Sequence, residues 1–302
     1  MLQFLARHGR WVLVVGLVMG VLLPGLAAAM KAWLPEMVAM LLFISALRIG
    51  PKEAFGRLND FPQTLSIVLI YQIAVPLLLL LFFYLIGLSG SLAFAIVLMA
   101  SASSIAGGAN LTLMTGNAAG PALRLLIVGT ALLPLTVLPV FWFLPELGSV
   151  QTIILASGRL LMIIALATIV AFAIRHFLLP AASDNTLTAI DGVSAIAMAV
   201  VVIGLMSAVA PALNEEPWLL ATTLFAACAA NFGLQIVFWI IWGRAGVDTS
   251  RAAYSIVSGN RNMALFLAAL PVVVTDPILL FIGCYQIPMY LTPLVLGKLY
   301  RR

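Results

Sequence analysis

Long apolar runs with almost no charged residue follow one another along the whole chain, and short segments holding charges, prolines and glycines separate them. A bilayer core of about 30 Å needs roughly 20 apolar helical residues, so runs of this length predict membrane-spanning helices. Hydrophobic residues make up 64% of the 302 positions and charged residues 8%, too little charge for the surface of a water-soluble protein. We therefore expect an all-α polytopic membrane protein embedded in a lipid bilayer. Ten spans are predicted, near residues 10–29, 33–49, 63–87, 91–114, 119–144, 150–179, 187–213, 217–243, 250–274 and 277–298.

The distribution of basic residues predicts how these spans are oriented, because cytoplasmic loops are enriched in Lys and Arg. With ten spans and an internal N-terminus, most basic residues fall on the cytoplasmic side, and little more than Lys31 falls outside. We expect a multi-pass protein of the cell inner membrane with both termini in the cytoplasm. Single, scattered charges offer no patch for nucleic acid. The predicted cytoplasmic charges are Arg7, Arg10, Arg48, Lys52, Arg57, Arg124, Arg175, Arg244, Arg251, Lys298, Arg301 and Arg302.

A short motif recurs half a chain length apart. Residues 104–108 in span 4 read Ser-Ile-Ala-Gly-Gly, and residues 255–259 in span 9 read Ser-Ile-Val-Ser-Gly. The following span in each half carries two prolines with four residues between them, so the match extends over consecutive helices. These prolines are Pro134 and Pro139 in span 5, and Pro288 and Pro293 in span 10.

This match divides the chain into two repeats of five spans, residues 1–149 and 150–302. Because five is an odd number, the second repeat must enter the membrane in the opposite sense to the first. Inverted repeats of this kind are typical of secondary transporters.

Residues with low helical propensity lie near the middle of spans 4 and 9. Residues 107–110 read Gly-Gly-Ala-Asn and residues 259–262 read Gly-Asn-Arg-Asn, so we expect both helices to unwind there. Unwound backbone in hydrocarbon leaves polar groups unpaired, so the breaks should lie buried between the two repeats. Broken helices bind substrates and ions in transporters, which makes the breaks and nearby polar residues the candidate substrate site. Its residues are Gln72, Gly107, Gly108, Ala109, Asn110, Thr112, Asn231, Asn260, Arg261 and Asn262.

Arg261 is the most informative of these residues, since an arginine near the centre of a membrane helix costs about 2.5–3.5 kcal/mol on insertion scales. Three roles remain open. One is to bind a substrate carboxylate through two parallel N–H bonds. A second is to supply a fixed positive charge in place of a bound metal ion, and a third is to cap carbonyl groups that the broken helix releases.

Other functional classes require residues that the spans lack. An intramembrane protease needs an aspartate pair, a Ser–His pair or a metal motif within its spans. The only histidines are His8 and His176 near helix ends. Glu36 is predicted at the outer end of its span, which leaves Asp191 as the one acid predicted within a span. We therefore expect no enzymatic activity and no cofactor. A channel or a non-transporting sensor remains an alternative.

Several motifs resemble those of the bile acid:sodium symporter family, and they follow the family order over nearly the whole chain. The resemblance implies a core domain of spans 3–5 and 8–10, a panel domain of spans 1, 2, 6 and 7, and crossing of the broken spans 4 and 9. It also implies alternating-access transport of an organic anion, such as a bile acid or a small carboxylate like pyruvate or a pantoate-like acid. The matching segments are residues 42–47, 51–55, 104–110, 116–117, 231–233 and 259–265.

Two positions depart from the family pattern at its sodium sites. Family members that use sodium place a glutamate two residues before the glycine of span 9 and a glutamine before its asparagine, where this chain has Val257 and Arg261. Residues 122–128 also lack the hydroxyl groups that the family shows in span 5. A valine has no charge and an arginine repels cations, so we expect the sodium sites to be lost. The hypothesis is an organic-anion carrier that sodium does not drive, and an ordinary sodium symporter is the alternative.

Overall fold

The computed structural model of the chain describes residues 1–56, 61–180 and 182–301. The backbone of these residues is mainly helical and forms no β-strand beyond one isolated bridge between Ser104 and Arg261. In the first half the helices are α1 (Leu2–Arg7), α2 (Gly9–Leu22), α3 (Pro24–Lys31), α4 (Leu34–Gly56), α5 (Phe61–Leu69), α6 (Val75–Leu85), α7 (Ser91–Ser101), α8 (Gly108–Met114) and α9 (Gly120–Trp142). In the second half they are α10 (Val150–Phe177), α11 (Asp184–Leu205), α12 (Val209–Glu215), α13 (Pro217–Arg244), α14 (Arg251–Gly259), α15 (Leu265–Ala269), α16 (Val272–Thr275), α17 (Leu279–Val295) and α18 (Gly297–Tyr300). A π-helical turn, Ile70–Ala74, joins α5 to α6, and short 3-10 turns cover Pro145–Leu147, Met206–Ala208 and Asp276–Ile278.

Seven helical segments of the described chain are long and apolar enough to cross a membrane, and α2 with α3 makes an eighth if a bent pair counts as one span. This confirms an all-α, polytopic membrane protein. The seven segments correspond to predicted spans 2, 3, 5, 6, 7, 8 and 10, whereas predicted spans 4 and 9 are divided into shorter helices. Arg57 and Arg302, two of the predicted cytoplasmic charges, lie outside the described residues.

The first predicted span, near residues 10–29, is bent rather than straight. Its two helices, α2 and α3, meet at 103°. Leu23 lies between them with φ −118° and ψ 68°, outside the helical region, because the ring of Pro24 disfavours helical geometry in the preceding residue. Pro24 then starts α3, where a proline is well tolerated.

Helix α4 contains a sharp kink at Gly50, one residue beyond the predicted end of span 2. Gly50 has φ 71° and ψ 164°, a backbone conformation that residues with a Cβ atom rarely adopt, and Pro51 follows it. A Cβ atom at this position would also lie 3.0 Å from Cγ of Arg175. The kink separates the long apolar part of α4 from a short helical turn.

Two exposed ion pairs join charged residues of different helices. Nζ of Lys31 lies 3.0 Å from Oδ1 of Asp276, and Nε of Arg48 donates to Oδ1 of Asp191 at 2.7 Å. Asp191, the acid predicted inside a span, thus has a cationic partner.

The helices pack in two groups. Helices α2, α3, α4, α10 and α11 contact one another in the first group, while α5–α9, α13, α14 and α17 form the contacts of the second. The groups meet where α10 contacts α9 and where α11 contacts α17, and α15 packs against α4 and α10 of the first group. Residues from both groups form the largest buried apolar cluster, which includes Leu98, Phe141, Leu160, Leu205 and Phe266.

The segments predicted as spans 4 and 9 are each interrupted, and the interruptions lie at positions shifted from the predicted ones. The non-helical segments are residues 102–107 and 260–264, rather than 107–110 and 259–262. The shift in span 4 follows from serine chemistry: Oγ of Ser101 donates to the carbonyl of Leu98 at 2.8 Å, a local bond that competes with helix continuation. Helix α8 then begins at Gly108. The matched repeat motifs consequently differ in structure, since residues 104–107 are non-helical and residues 255–259 are helical.

Candidate functional site

The two helix breaks pair with each other through their backbones. The N–H of Ile105 donates to the carbonyl of Asn260 at 3.0 Å, and the N–H of Asn262 donates to the carbonyl of Ser103 at 2.8 Å, in antiparallel register. Backbone groups that the breaks release thereby find partners inside the protein, as a hydrocarbon environment requires. The breaks of spans 4 and 9 form a single site.

The side chain of Arg261 lies between the breaks and is 2% exposed. Its Nε donates to the carbonyl of Ser258 at 3.0 Å, Nη1 to that of Ala102 at 3.1 Å, and Nη2 to that of Tyr71 at 3.2 Å. The guanidinium carbon lies 4.9 Å from the centre of the Tyr71 ring. Three separate parts of the chain thus converge on one guanidinium.

The charge of Arg261 has no carboxylate within ion-pair distance among the described residues. Carbonyl groups stabilise it instead, and those of Ala102 and Ser258 belong to the C-terminal ends of α7 and α14, where the helix dipole favours a cation. Hydrogen bonds from a charged donor contribute about 1.5–3 kcal/mol each, enough together to offset the cost of insertion. These contacts fulfil the carbonyl-capping role and do not decide between the other two roles.

The described residues use only part of the hydrogen-bonding capacity of the guanidinium. A guanidinium carries five N–H groups, and carbonyls accept from three of them in Arg261. One N–H on Nη1 and one on Nη2 therefore lack an acceptor among the described residues. Arg261 also lines a cavity of about 380 Å³, as does its neighbour Asn262.

The cavity lies between the two helix groups. Helices α4, α10 and α11 line one side, and α9, residues 261–264 and α17 line the other. It extends to Ala54, Phe61 and Phe172, toward the end of the molecule that the charge bias assigns to the cytoplasm. Most of its lining side chains are apolar. The polar ones are Ser45, Thr130, Thr168, Arg261, Asn262, Gln286 and Tyr290.

Uncharged polar side chains form a hydrogen-bond network, here called the neutral network, around the carbonyl of Gly259 at the end of α14. Nδ2 of Asn231 donates to this carbonyl at 2.6 Å, and the hydroxyl of Tyr285 donates to it as well. Nε2 of Gln235 donates to Oδ1 of Asn231 at 2.7 Å and to Oγ1 of Thr292 at 3.0 Å. These buried groups satisfy one another, so the network fixes α14 against α13 and α17.

Only two of the ten predicted site residues, Arg261 and Asn262, line the cavity. Asn260 and Asn231 are fully buried behind it, and both belong to the neutral network. Neither side chain lines the cavity, because each amide satisfies polar groups that the break of span 9 leaves buried. Their part in substrate binding stays a prediction.

The residues predicted around the break of span 4 are also displaced from the cavity. Because α8 starts at Gly108, Gly108 and Thr112 share its buried face, and Oγ1 of Thr112 donates to the carbonyl of Gly108 at 2.9 Å. Asn110 falls on the opposite, exposed face. Gly107 and Ala109 are half-buried and do not line the cavity.

Gln72 is buried in the second helix group and connects span 3 to span 5. Its Nε2 donates to the carbonyl of Gly129 at 3.0 Å, and its Oε1 accepts from Oγ1 of Thr136 at 2.6 Å. With both ends of the amide engaged, Gln72 holds two helices together and does not line the cavity.

Five polar residues that line the cavity were missing from the predicted site: Ser45, Thr130, Thr168, Gln286 and Tyr290. Oγ1 of Thr130 donates to Oγ of Ser103 at 3.2 Å, beside the paired breaks. Isolated polar residues within apolar spans were the available signal. Nothing in their spacing, however, distinguishes a cavity position from an interhelical hydrogen bond.

Val257, one of the two positions that depart from the symporter pattern, is apolar and buried. Val257 is 1% exposed and packs in a buried cluster with Val68, Ala100, Ala122 and Leu125. An aliphatic side chain in such a cluster offers no oxygen ligand to a cation.

Neither a protein-family model nor a curated protein matches the chain.

Proposed function

We propose that the chain is a secondary transporter of a small organic anion that works by alternating access without sodium as the driving ion. The proposed architecture has ten spans in two inverted repeats, with the broken spans 4 and 9 crossing at the substrate site. The resemblance of its motifs to bile acid:sodium symporters supports this architecture, and the backbone pairing of the two breaks is consistent with it.

One observation carries the proposal: Arg261 is buried beside a cavity, and the described residues provide neither a carboxylate partner nor an acceptor for two of its N–H groups. An ionisable residue inside a membrane span is by default a candidate functional group, because its insertion is costly. A carboxylate in the cavity would accept both unused N–H groups in a bidentate contact. The same guanidinium would then serve both the protein backbone and the substrate.

The cavity suggests the form of the anion. About 380 Å³ is within the usual range for small-molecule sites. Arg261 is the only charged residue among the described lining residues, and most of the others are apolar. We infer a monoanion with an apolar body rather than a dicarboxylate.

Arg261 also gives a reason for transport without sodium. Three carbonyl oxygens, from Tyr71, Ala102 and Ser258, already bind its guanidinium. Oxygen atoms of this kind are what an alkali or alkaline-earth cation needs, and a fixed positive charge among them repels such an ion. Arg261 can thus cap these carbonyls and replace a coupling ion at the same time.

Alternating access would use the boundary between the two helix groups. The cavity lies at this boundary, and in transporters with inverted repeats one bundle rocks against the other around a fixed site. In the proposed inner-membrane orientation, with both termini in the cytoplasm, the described cavity extends toward the cytoplasm.

Ligand binding to the purified protein tests the proposal. Thermal unfolding is measured with pyruvate, pantoate or hexanoate, in sodium and in potassium buffers. Hexanamide serves as the neutral counterpart of hexanoate. We expect at least one anion to raise the unfolding temperature equally in both buffers, and hexanamide to have no such effect.

Two variants assign the effect to the site. Arg261→Ala should remove the anion effect, while Arg159→Ala, which changes an exposed arginine of α10 outside the cavity, should retain it. If no anion stabilises the wild type, or if both variants respond alike, Arg261 has only the carbonyl-capping role. A non-transporting sensor or a channel would then be favoured.

A further inference from the structure

The carbonyl of Tyr71 that accepts from Arg261 is left free by a local irregularity of span 3. In the π-helical turn Ile70–Ala74, the N–H of Val75 donates to the carbonyl of Ile70, five residues earlier. Val75 is the residue whose N–H would bind the Tyr71 carbonyl in an α-helix. The corresponding donor in a π-helix would be residue 76, which is Pro76 and has no N–H. The Tyr71 carbonyl therefore takes its donor from outside its own helix, Nη2 of Arg261 at 3.2 Å.

The Tyr71 ring faces the same guanidinium and is itself held firmly. Its hydroxyl donates to the carbonyl of Tyr254 at 3.0 Å and accepts from Nε1 of Trp242 at 2.8 Å. Phe238 packs edge-on against it, with ring centres 4.6 Å apart. The ring is 1% exposed, and the guanidinium carbon of Arg261 lies 4.9 Å from its centre.

We propose that Tyr71 is a positioning residue for Arg261. The π-turn and Pro76 leave the carbonyl of Tyr71 free to bind the guanidinium. The main-chain carbonyl fixes one end of the planar group and the ring face fixes its tilt. With Ser258 and Ala102 holding the other N–H bonds, the unused N–H groups on Nη1 and Nη2 keep one direction. Their role toward an anion rests on the proposed function, whereas the positioning contact does not.

A double-mutant cycle tests the contact itself. The variants are Tyr71→Leu, which removes the ring, Arg261→Met, and the double variant, each measured by thermal unfolding. If Tyr71 acts through Arg261, the loss in unfolding temperature from Tyr71→Leu should be at least about twice as large in the wild type as in the Arg261→Met background. Equal losses in the two backgrounds would overturn the proposal.

Hexanoate affinity provides a measurement that a merely structural residue would not change selectively. Tyr71→Leu should weaken hexanoate binding by about 10-fold, whereas Tyr71→Phe, which keeps the aromatic ring, should retain most of the wild-type affinity. Hexanamide should stabilise none of the three proteins. If Tyr71→Leu and Tyr71→Phe weaken hexanoate binding equally, the ring does not position the guanidinium.

The proline is tested separately with Pro76→Ala, which supplies an N–H that can compete with Arg261 for the freed carbonyls of span 3. We expect hexanoate affinity to fall about threefold or more, since one of the three bonds that orient the guanidinium is weakened. Pro139→Ala in α9, a helix-interior proline outside the cavity, is the matched control and should leave affinity unchanged. Equal effects of the two substitutions would refute the role of the π-turn.

Failure of this inference can be told apart from failure of the proposed function. If the wild type does not bind hexanoate, the proposed substrate class is wrong for this probe, and the unfolding cycle alone decides whether Tyr71 holds Arg261. If hexanoate binds and the cycle is additive, the proposed function stands and the positioning role is wrong.

Discussion

Replacing Gly259 by alanine would test how closely α13 and α14 must approach beneath the site. A Cβ atom at Gly259 would overlap the main-chain oxygen of Asn231 and lie 2.6 Å from Cγ of Gln235. Because the main chain of Asn231 cannot rotate away, α14 must shift to make room. Overpacking of this kind costs about 1–3 kcal/mol, and the shift also disturbs the hydrogen bond from Asn231 to the Gly259 carbonyl.

Thermal unfolding in detergent measures this cost. For an estimated loss near 2 kcal/mol, we expect the unfolding temperature of Gly259→Ala to fall by about 4–8 °C, at roughly 2–4 °C per kcal/mol. Gly233→Ala is the matched control, since no atom lies within 4 Å of an added Cβ atom there, and alanine favours the helix by up to about 1 kcal/mol. Its unfolding temperature should stay level or rise. A Gly259→Ala protein as stable as the wild type would refute the close approach of the two helices.

Three further substitutions probe single interactions. Thr136→Val removes the donor to buried Oε1 of Gln72 and should lower the free energy of unfolding by about 1–3 kcal/mol. The control is Thr222→Val, at a half-buried residue of α13 whose hydroxyl bonds only within its own helix, and it should change this free energy by less than about 0.5 kcal/mol. Equal effects of the two substitutions would contradict the buried bond. Asp191→Asn breaks an exposed ion pair with Arg48, so chemical denaturation should show a loss below about 1 kcal/mol, and a loss several times larger would be inconsistent with its exposure. Arg261→Lys keeps the charge but loses the planar fork, so hexanoate affinity measured by titration should fall at least about 10-fold, and wild-type affinity would show that charge alone suffices.

Apolar runs were sufficient to predict the helical segments, because their length and lack of charge leave few alternatives in a bilayer. Local geometry was harder to predict. The bend before Pro24 depends on a single residue pair, and the apolar pattern continues through it without a change in composition. The break of span 4 moved to residues 102–107 because serine hydroxyls and pairing with span 9 compete with the helix, an effect that depends on a partner distant in sequence.

The sequence was sufficient to identify Arg261 in the candidate site, but not the residues around it. Arg261 was identifiable because a charge inside a membrane span must be stabilised by other groups. In the structure, three carbonyl groups stabilise it. Asn231 and Asn260 look like ligands in the sequence, but their amides are used by the neutral network. Thr130 enters the cavity only through the packing of α9 against the other helix group, and no local pattern marks that face.

Uptake into proteoliposomes tests the central claim most directly. The assay measures entry of radiolabelled pyruvate, pantoate or hexanesulfonate, with sodium or potassium as the only external cation and with wild-type or Arg261→Ala protein. Since Arg261 is proposed to supply the charge that a coupling ion would supply, we predict saturable uptake of at least one anion at the same rate in both salts, and its loss in Arg261→Ala. Uptake that disappears when sodium is removed would contradict the account.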